Sequence, residues 1–208
     1  MKKSKRVKKS NSWKIKQHRD QFFKKSKTLG YRSRAAFKLI ELNKKFKFIK
    51  KNTNLLDLGS CPGGWSQVAS KIITKGKILA IDIKDMKTIQ NVNFLKSDIL
   101  ENDTKQSVIK FFKNQLDVII SDMAADTTGN KSLDSIRTNQ LCADIIAFSQ
   151  KTLKPKGVLI SKLFMGDDFL ETKNLAKSVF KKVNFFKPES SRNESKETYL
   201  HCEILKSL

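Results

Sequence analysis

The sequence predicts a doubly wound α/β fold: a mostly parallel sheet covered by helices on both faces, with an antiparallel strand at its C-terminal edge. Three observations point there. From Asn54 onward, short apolar runs alternate with longer amphipathic segments, the pattern of successive βαβ units. A glycine-rich turn, Gly59-Ser60-Cys61-Pro62-Gly63-Gly64, follows the first apolar run directly. The last two β-rich runs are joined by the polar loop Pro188–Lys196 alone, which suits the antiparallel edge common in doubly wound sheets.

Taken in order, residues 1–20 are polar, basic and without periodicity, and are expected to stay disordered until a partner arrives. From Ser33 to about Phe46 the pattern turns helical, with Phe37, Leu39 and Ile40 on one side, Ser33 as N-cap and Lys38 at the edge of the apolar face. Strands are expected at 54–58, 78–82, 92–96, 116–121 and 157–163. Helices fit between them at 65–74, 104–114 and 137–153, the last closed by the turn Lys154-Pro155-Lys156-Gly157. A helix at 168–181 then leads to the strands 182–187 and 197–205.

At 208 residues the chain can bury a core without disulfides or metals. Cys61, Cys142 and Cys202 are odd in number and far apart, so they match neither a disulfide framework nor a zinc site. No run approaches the roughly 20 apolar residues of a membrane span, and the basic N-terminus lacks the apolar core of a signal peptide. A cytoplasmic protein is the expectation. The net charge of +23 is concentrated: residues 1–51 carry 20 of the 43 Lys and Arg against only Asp20 and Glu41, which leaves +5 for the other 157 residues. Such a concentration reads as a contact surface for a polyanion. Trp13, Phe22 and Phe23 form no membrane-surface stripe, and rings among cations suit stacking on bases, so nucleic acid is favoured over acidic lipid. The organisation expected is a basic RNA-binding arm over 1–30 and one domain over 31–208 that includes the helix carrying Lys38.

In open α/β sheets small ligands bind beyond the carboxyl ends of the strands. There, Gly59 permits a tight turn, and Gly63-Gly64 let backbone approach a ligand whose carboxylate could meet the free amides of the next helix. The spacing is neither G-x-G-x-x-G nor a Walker loop. Asp82 closes the second strand, where an acid can accept from both hydroxyls of a ribose, and Asp98 closes the third, within reach of an adenine amino group. Either acid alone reads as a solvated turn residue. Together the three strand ends describe a pocket for an adenosine with a charged amino-acid tail, S-adenosylmethionine.

With Ser-Arg-Ala-Ala-Phe-Lys at 33–38, Cys-Pro-Gly-Gly-Trp-Ser-Gln at 61–67, Ser-Asp-Met-Ala at 121–124, Ser-Lys-Leu-Phe at 161–164, Lys-Pro-Glu-Ser-Ser-Arg at 187–192 and Glu-Thr-Tyr at 197–199, the chain resembles the FtsJ-like RNA ribose 2′-O-methyltransferases. The resemblance runs from about residue 12 to the C-terminus and is closest to the bacterial branch that methylates a uridine ribose in 23S ribosomal RNA. It implies the Rossmann-like methyltransferase fold and a Lys-Asp-Lys-Glu tetrad at Lys38, Asp122, Lys162 and Glu197. It further implies cofactor contacts at Gly63, Trp65, Asp82, Asp98 and Asp122, no metal, and large-subunit ribosomal RNA as the partner of a monomeric enzyme acting late in ribosome assembly. The chain departs from the family pattern at Cys61, where Ala is common, and at Ala125-Asp126, where Pro-Asn is usual, which touches the rim of the site.

Ribose methylation requires a hydroxyl oxygen to attack the sulfonium methyl in line and to lose its proton. Lys162, at the end of the predicted fifth strand, is assigned as proton acceptor. To accept, its amine must be neutral, which burial and the cation of Lys38 favour and which Asp122 and Glu197 oppose. The two acids are expected to orient the amines and place the hydroxyl. Each of the four taken singly has a plainer role, as a solvent-facing lysine, a turn former or a surface charge; the tetrad rests on their joint presence. Cys61 as a nucleophile is disfavoured by its place in the cofactor loop, and His18 and His201 are isolated. Ser190-Ser191-Arg192 could hold a phosphate or ribose near Glu197. The competing readings are a transfer RNA ribose methyltransferase and a catalytically idle RNA-binding assembly factor.

Overall fold

A computed structural model describes residues 20–207, apart from 114 and 167. Residues 1–19, with Trp13, His18 and all but Asp20 of the stretch expected to lack order, lie outside the described residues. In chain order the elements are α1 (Gln21–Thr28), α2 (Ala35–Phe46), β1 (Leu55–Leu58), α3 (Gly64–Ile72), β2 (Ile78–Asp82), β3 (Asn93–Lys96), α4 (Asn102–Phe112), β4 (Leu116–Ser121), α5 (Lys131–Thr152), β5 (Leu153–Phe164), α6 (Phe169–Val179), β6 (Phe180–Phe186) and β7 (Glu197–Leu205).

Seven strands form one sheet in the order β3-β2-β1-β4-β5-β7-β6. Strands β1 to β5 run parallel, and β7 is antiparallel to both of its neighbours. The doubly wound, mostly parallel class expected from the alternation is therefore the observed one. The antiparallel strand is the C-terminal one, as expected, but it inserts between β5 and β6 and leaves β6 at the edge. Chain order reverses between β1 and β4, so the carboxyl ends of those two strands open the crevice where such sheets bind ligands.

Side chains alternate across a strand, and here the alternation sorts the core into two layers. Leu56, Leu58, Ile119, Leu159, Leu163, Leu200 and Cys202 face α4, α5 and α6. Leu55, Val118, Ile120, Ile160 and Tyr199 face α2 and α3. Continuing the second set by two places gives residue 122 after β4, Lys162 on β5 and Glu197 on β7. The parity that buries the core thus aims three tetrad positions at the helix that carries Lys38.

Several boundaries differ from expectation for identifiable reasons. Ser33 is not the N-cap of α2; Arg34 holds that position without a side-chain cap, and the helix begins at Ala35. The run 21–28, unassigned from its charge pattern, is helical because Asp20 accepts from the Phe22 and Phe23 amides (3.0 and 3.2 Å) as a side-chain N-cap. α5 starts at Lys131, six residues early, because Asn130 accepts from the Ser132 and Leu133 amides. The turn expected at 154–157 is instead a bulge in β5, where the pairing jumps from Leu116–Leu153 to Val118–Val158. No helix among the described residues is long and apolar enough to cross a membrane.

Candidate active site

A cavity of about 600 Å³ lies beyond the carboxyl ends of β1, β2, β3 and β4. Its first wall is the turn after β1. Gly59 has φ +69°, and a Cβ there would stand 2.5 Å from Met123 Cγ, so the turn needs glycine on both counts. Asp82 closes the second wall: its two carboxylate oxygens accept from the Cys61 and Lys84 amides, both at 2.8 Å. These bonds fix the carboxylate while leaving each oxygen a lone pair for a ligand. Asp98 accepts from the Leu100 amide at 2.9 Å. With Asp122, Asp126 and Asp144 the lining holds five acids against Lys84 and Arg137. On a chain of charge +23, this hollow favours a cationic ligand.

The remaining predicted cofactor positions, Gly63 and Trp65, stand outside these walls. Gly63 (φ +109°) lets Arg32 and Ile89 close over the loop. Trp65 is buried, donates from Nε1 to the Ala35 carbonyl at 2.8 Å and packs against Tyr199, so it locks α2 to the start of α3.

Lys38, Asp122, Lys162 and Glu197 are brought together around Tyr199, and of the four Asp122 lines this cavity. Lys38 Nζ lies 2.6 Å from Glu197 Oε1, and Lys162 Nζ lies 3.1 Å from Asp122 Oδ1 while donating to the Asp122 carbonyl at 2.6 Å. Each of the four side chains is less than one-fifth exposed. Antiparallel register sets Lys162 opposite Tyr199 and Phe164 opposite Glu197, which is how the last strand delivers its acid to the lysines.

Tyr199, unassigned by the sequence, joins the four. Its hydroxyl donates to Asp122 Oδ1 at 2.6 Å, and its ring lies 5.6 Å from Lys38 Nζ. Burial and the facing carboxylates push its phenol well above the usual value, so it stays a donor. Burial pushes the Asp122 carboxyl up, but Lys162, Lys38 and Tyr199 together outweigh it and hold the group below its usual range. Asp57 was also missed, although an acid inside the run Leu55–Leu58 was a visible signal. It is 1% exposed and accepts from Ser66 Oγ at 2.6 Å; burial, reinforced by Asp122 and Asp82, pushes its carboxyl up to about 7.

Beside Lys38 and Glu197 opens a smaller cleft of about 240 Å³ lined by Arg34 and Arg192. Asp20 pairs with Arg34 and lies 3.9 Å from Arg192, while Arg34 also donates to the Ser190 carbonyl. Glu41 accepts from the Glu189 and Ser190 amides, so the loop after β6 is clamped onto α2. His201 lies apart from the tetrad, stacked on Phe46 at 3.8 Å.

The sequence profile described as FtsJ-like methyltransferase matches residues 31–204. A Pelagibacter ubique protein named ribosomal RNA large subunit methyltransferase E is 42% identical over 197 residues, covering 95% of this chain and 97% of its own length. The Rickettsia akari protein of the same name is 44% identical over 202 residues, 94% of this chain and 89% of its own. Among solved structures, a putative ribosomal RNA methyltransferase from Plasmodium falciparum superposes with a TM-score of 0.75 at 34% identity, covering 84% of this chain and 98% of that one. Human methyltransferase-like protein 13, solved with SAH, shares the fold at a TM-score of 0.58 and 18% identity, over 81% of this chain and 79% of its own.

Proposed function

The chain belongs to the FtsJ-like methyltransferase family, and from that membership we propose that it transfers the methyl group of S-adenosylmethionine to the 2′-hydroxyl of a uridine ribose in 23S ribosomal RNA. It acts as a cytoplasmic monomer, late in assembly of the large subunit. The observation that carries this reading is the pairing of Lys38 with Glu197 and of Lys162 with Asp122, the last of which lines an acidic cavity of about 600 Å³.

The cavity fits the donor. Its volume falls within the usual range of small-molecule sites, its acids complement a sulfonium and an ammonium, and Gly59 leaves backbone where a side chain would intrude. Bound there, S-adenosylmethionine supplies a methyl already activated for displacement. The chain's residues do the rest. Asp82 and Asp98 accept hydrogen bonds from the adenosine, and Asp122, held as a carboxylate, faces the cationic end of the donor. Glu197 and Lys38 position the incoming hydroxyl, an arrangement that lowers the barrier chiefly by orientation. In its neutral amine form, Lys162 Nζ takes the hydroxyl proton.

Residues 1–30 serve as the arm that grips phosphates, and Arg34 and Arg192 extend that contact to the cleft beside Lys38. Affinity for RNA should therefore fall steeply as salt rises. The test is incubation of the full chain with a radioactive methyl donor and separate pools of large subunits and transfer RNA from cells lacking this gene. Label at a ribose of large-subunit RNA is expected; label confined to transfer RNA, or none with the donor bound, would overturn the reading.

A further inference from the structure

Between the cofactor cavity and the cleft at Lys38 lies a third hollow, of about 510 Å³. Its walls are the immediate chain neighbours of the tetrad. Ala124 and Ala125 come two and three residues after Asp122, Phe164 comes two after Lys162, and Lys196 directly precedes Glu197. Two residues of extended chain span about 7 Å, the scale that separates a ribose 2′-oxygen from the far edge of its own base. The hollow shares Ala124 and Ala125 with the cofactor cavity and Glu194 and Ser195 with the acceptor cleft, so it is continuous with both.

We propose that this hollow takes the nucleobase of the nucleotide being methylated, unstacked from its neighbours in the RNA. The inference rests on the reading of an RNA ribose as acceptor. The wall chemistry supports a flat heteroaromatic ring. Phe164 and the half-exposed Met165 offer an aromatic face and a polarisable thioether, the usual partners of a splayed-out base. Ser135 Oγ is buried without a hydrogen-bond partner, and the Thr138 hydroxyl accepts from the Ala125 amide at 3.2 Å and keeps its own proton to donate. Gly166 holds the Ser135 side of the hollow open: a Cβ there would stand 2.5 Å from Ser135 Oγ. Lys131 and Lys196 in the lining bring positive charge near the phosphates that flank the base.

The test is steady-state methylation of large subunits by the full chain and by two variants, with donor-product affinity measured in parallel by calorimetry on S-adenosylhomocysteine. For Gly166→Val, the KM for subunits should rise about tenfold or more, while the affinity for S-adenosylhomocysteine stays within about twofold. Met165 is exposed, so Met165→Ala keeps the fold whatever becomes of the first variant; its KM should rise about threefold. Unchanged KM in either variant, a parallel loss of S-adenosylhomocysteine affinity, or a fall in kcat alone would overturn the base pocket. A wild-type chain that labels no RNA would instead sink the methyl-transfer reading and this inference with it, so the two failures are distinguishable.

Discussion

Asp122 lines the cofactor cavity and Lys38 and Glu197 line the acceptor cleft, and the two hollows are built by different means. The cavity is made of strand ends: Asp82 is the last residue of β2, Gly59 and Asp98 follow β1 and β3 by one and two residues, and all three need only the parallel sheet to bring them together. The cleft rests on a pair between distant segments, Lys38 on α2 with Glu197 on β7, while Lys162 on β5 pairs likewise with the residue after β4. Their charges differ too. Acids predominate in the cavity, whereas the cleft mixes Lys38, Arg34 and Arg192 with Glu194 and Glu197. The difference teaches that donor binding follows from the sheet alone, whereas acceptor chemistry requires α2 and β7 to be docked on it. Mutations should therefore separate the two functions.

The largest separation is expected from Lys162→Ala, which removes the proposed proton acceptor. Methyl transfer should fall by about 10²–10⁴-fold, with S-adenosylhomocysteine affinity within about twofold of wild type by calorimetry. Retained activity would remove Lys162 from its role. Asp82→Ala should do the converse. It deprives the Cys61 and Lys84 amides of their acceptor and removes the acceptor proposed for the adenosine, so donor affinity should drop about 10–100-fold while filter binding of RNA stays unchanged.

A smaller effect tests the seam between the regions. Tyr199→Phe deletes the hydrogen bond to Asp122 but keeps the ring beneath Lys38. It should lower kcat about tenfold and stability by about 1 kcal/mol, with KM for the donor nearly unchanged; an unaltered kcat would make Tyr199 a packing residue only.

The smallest effect on activity, and a distinct one on stability, belongs to Asp57. Its carboxyl, ordinarily near 3.8, is pushed up to about 7 by burial. Between those values the folded chain holds a proton that the unfolded chain has released, so stability falls as pH rises through that window and levels off above it. Asp57→Asn keeps an acceptor for Ser66 Oγ and removes the titration. The variant should be more stable than wild type above pH 7, by on the order of 1–3 kcal/mol, with a flatter melting temperature between pH 4 and 7. Parallel melting curves for the two proteins across that range would show that the buried carboxyl is not the source.

The same contrast explains what was legible from sequence. The strands were readable because burial on both faces of a parallel sheet leaves continuous apolar runs, and Gly59, Asp82 and Asp98 were readable because strand ends are where those runs stop. The helix at 21–28 was not readable: its eight residues carry three lysines, and its ordering depends on a single capping acid. Asp57 and Tyr199 escaped because a buried acid and a buried phenol look like a strand interruption and a strand residue until their partners, Ser66 and Asp122, are known.

By itself the sequence determined the class of sheet and the glycine turn after β1, since both depend on local periodicity and residue type, while the four residues proposed to react were legible only through the resemblance to the FtsJ-like family. Only the tertiary structure decided that β7 inserts between β5 and β6, because strand order is set by long-range packing. That insertion places Glu197 against Lys38, and Tyr199 under both Lys38 and Asp122. The tertiary structure also shows Trp65, expected as a ligand contact, donating to the Ala35 carbonyl and so pinning α2, because which face a side chain covers depends on what packs there.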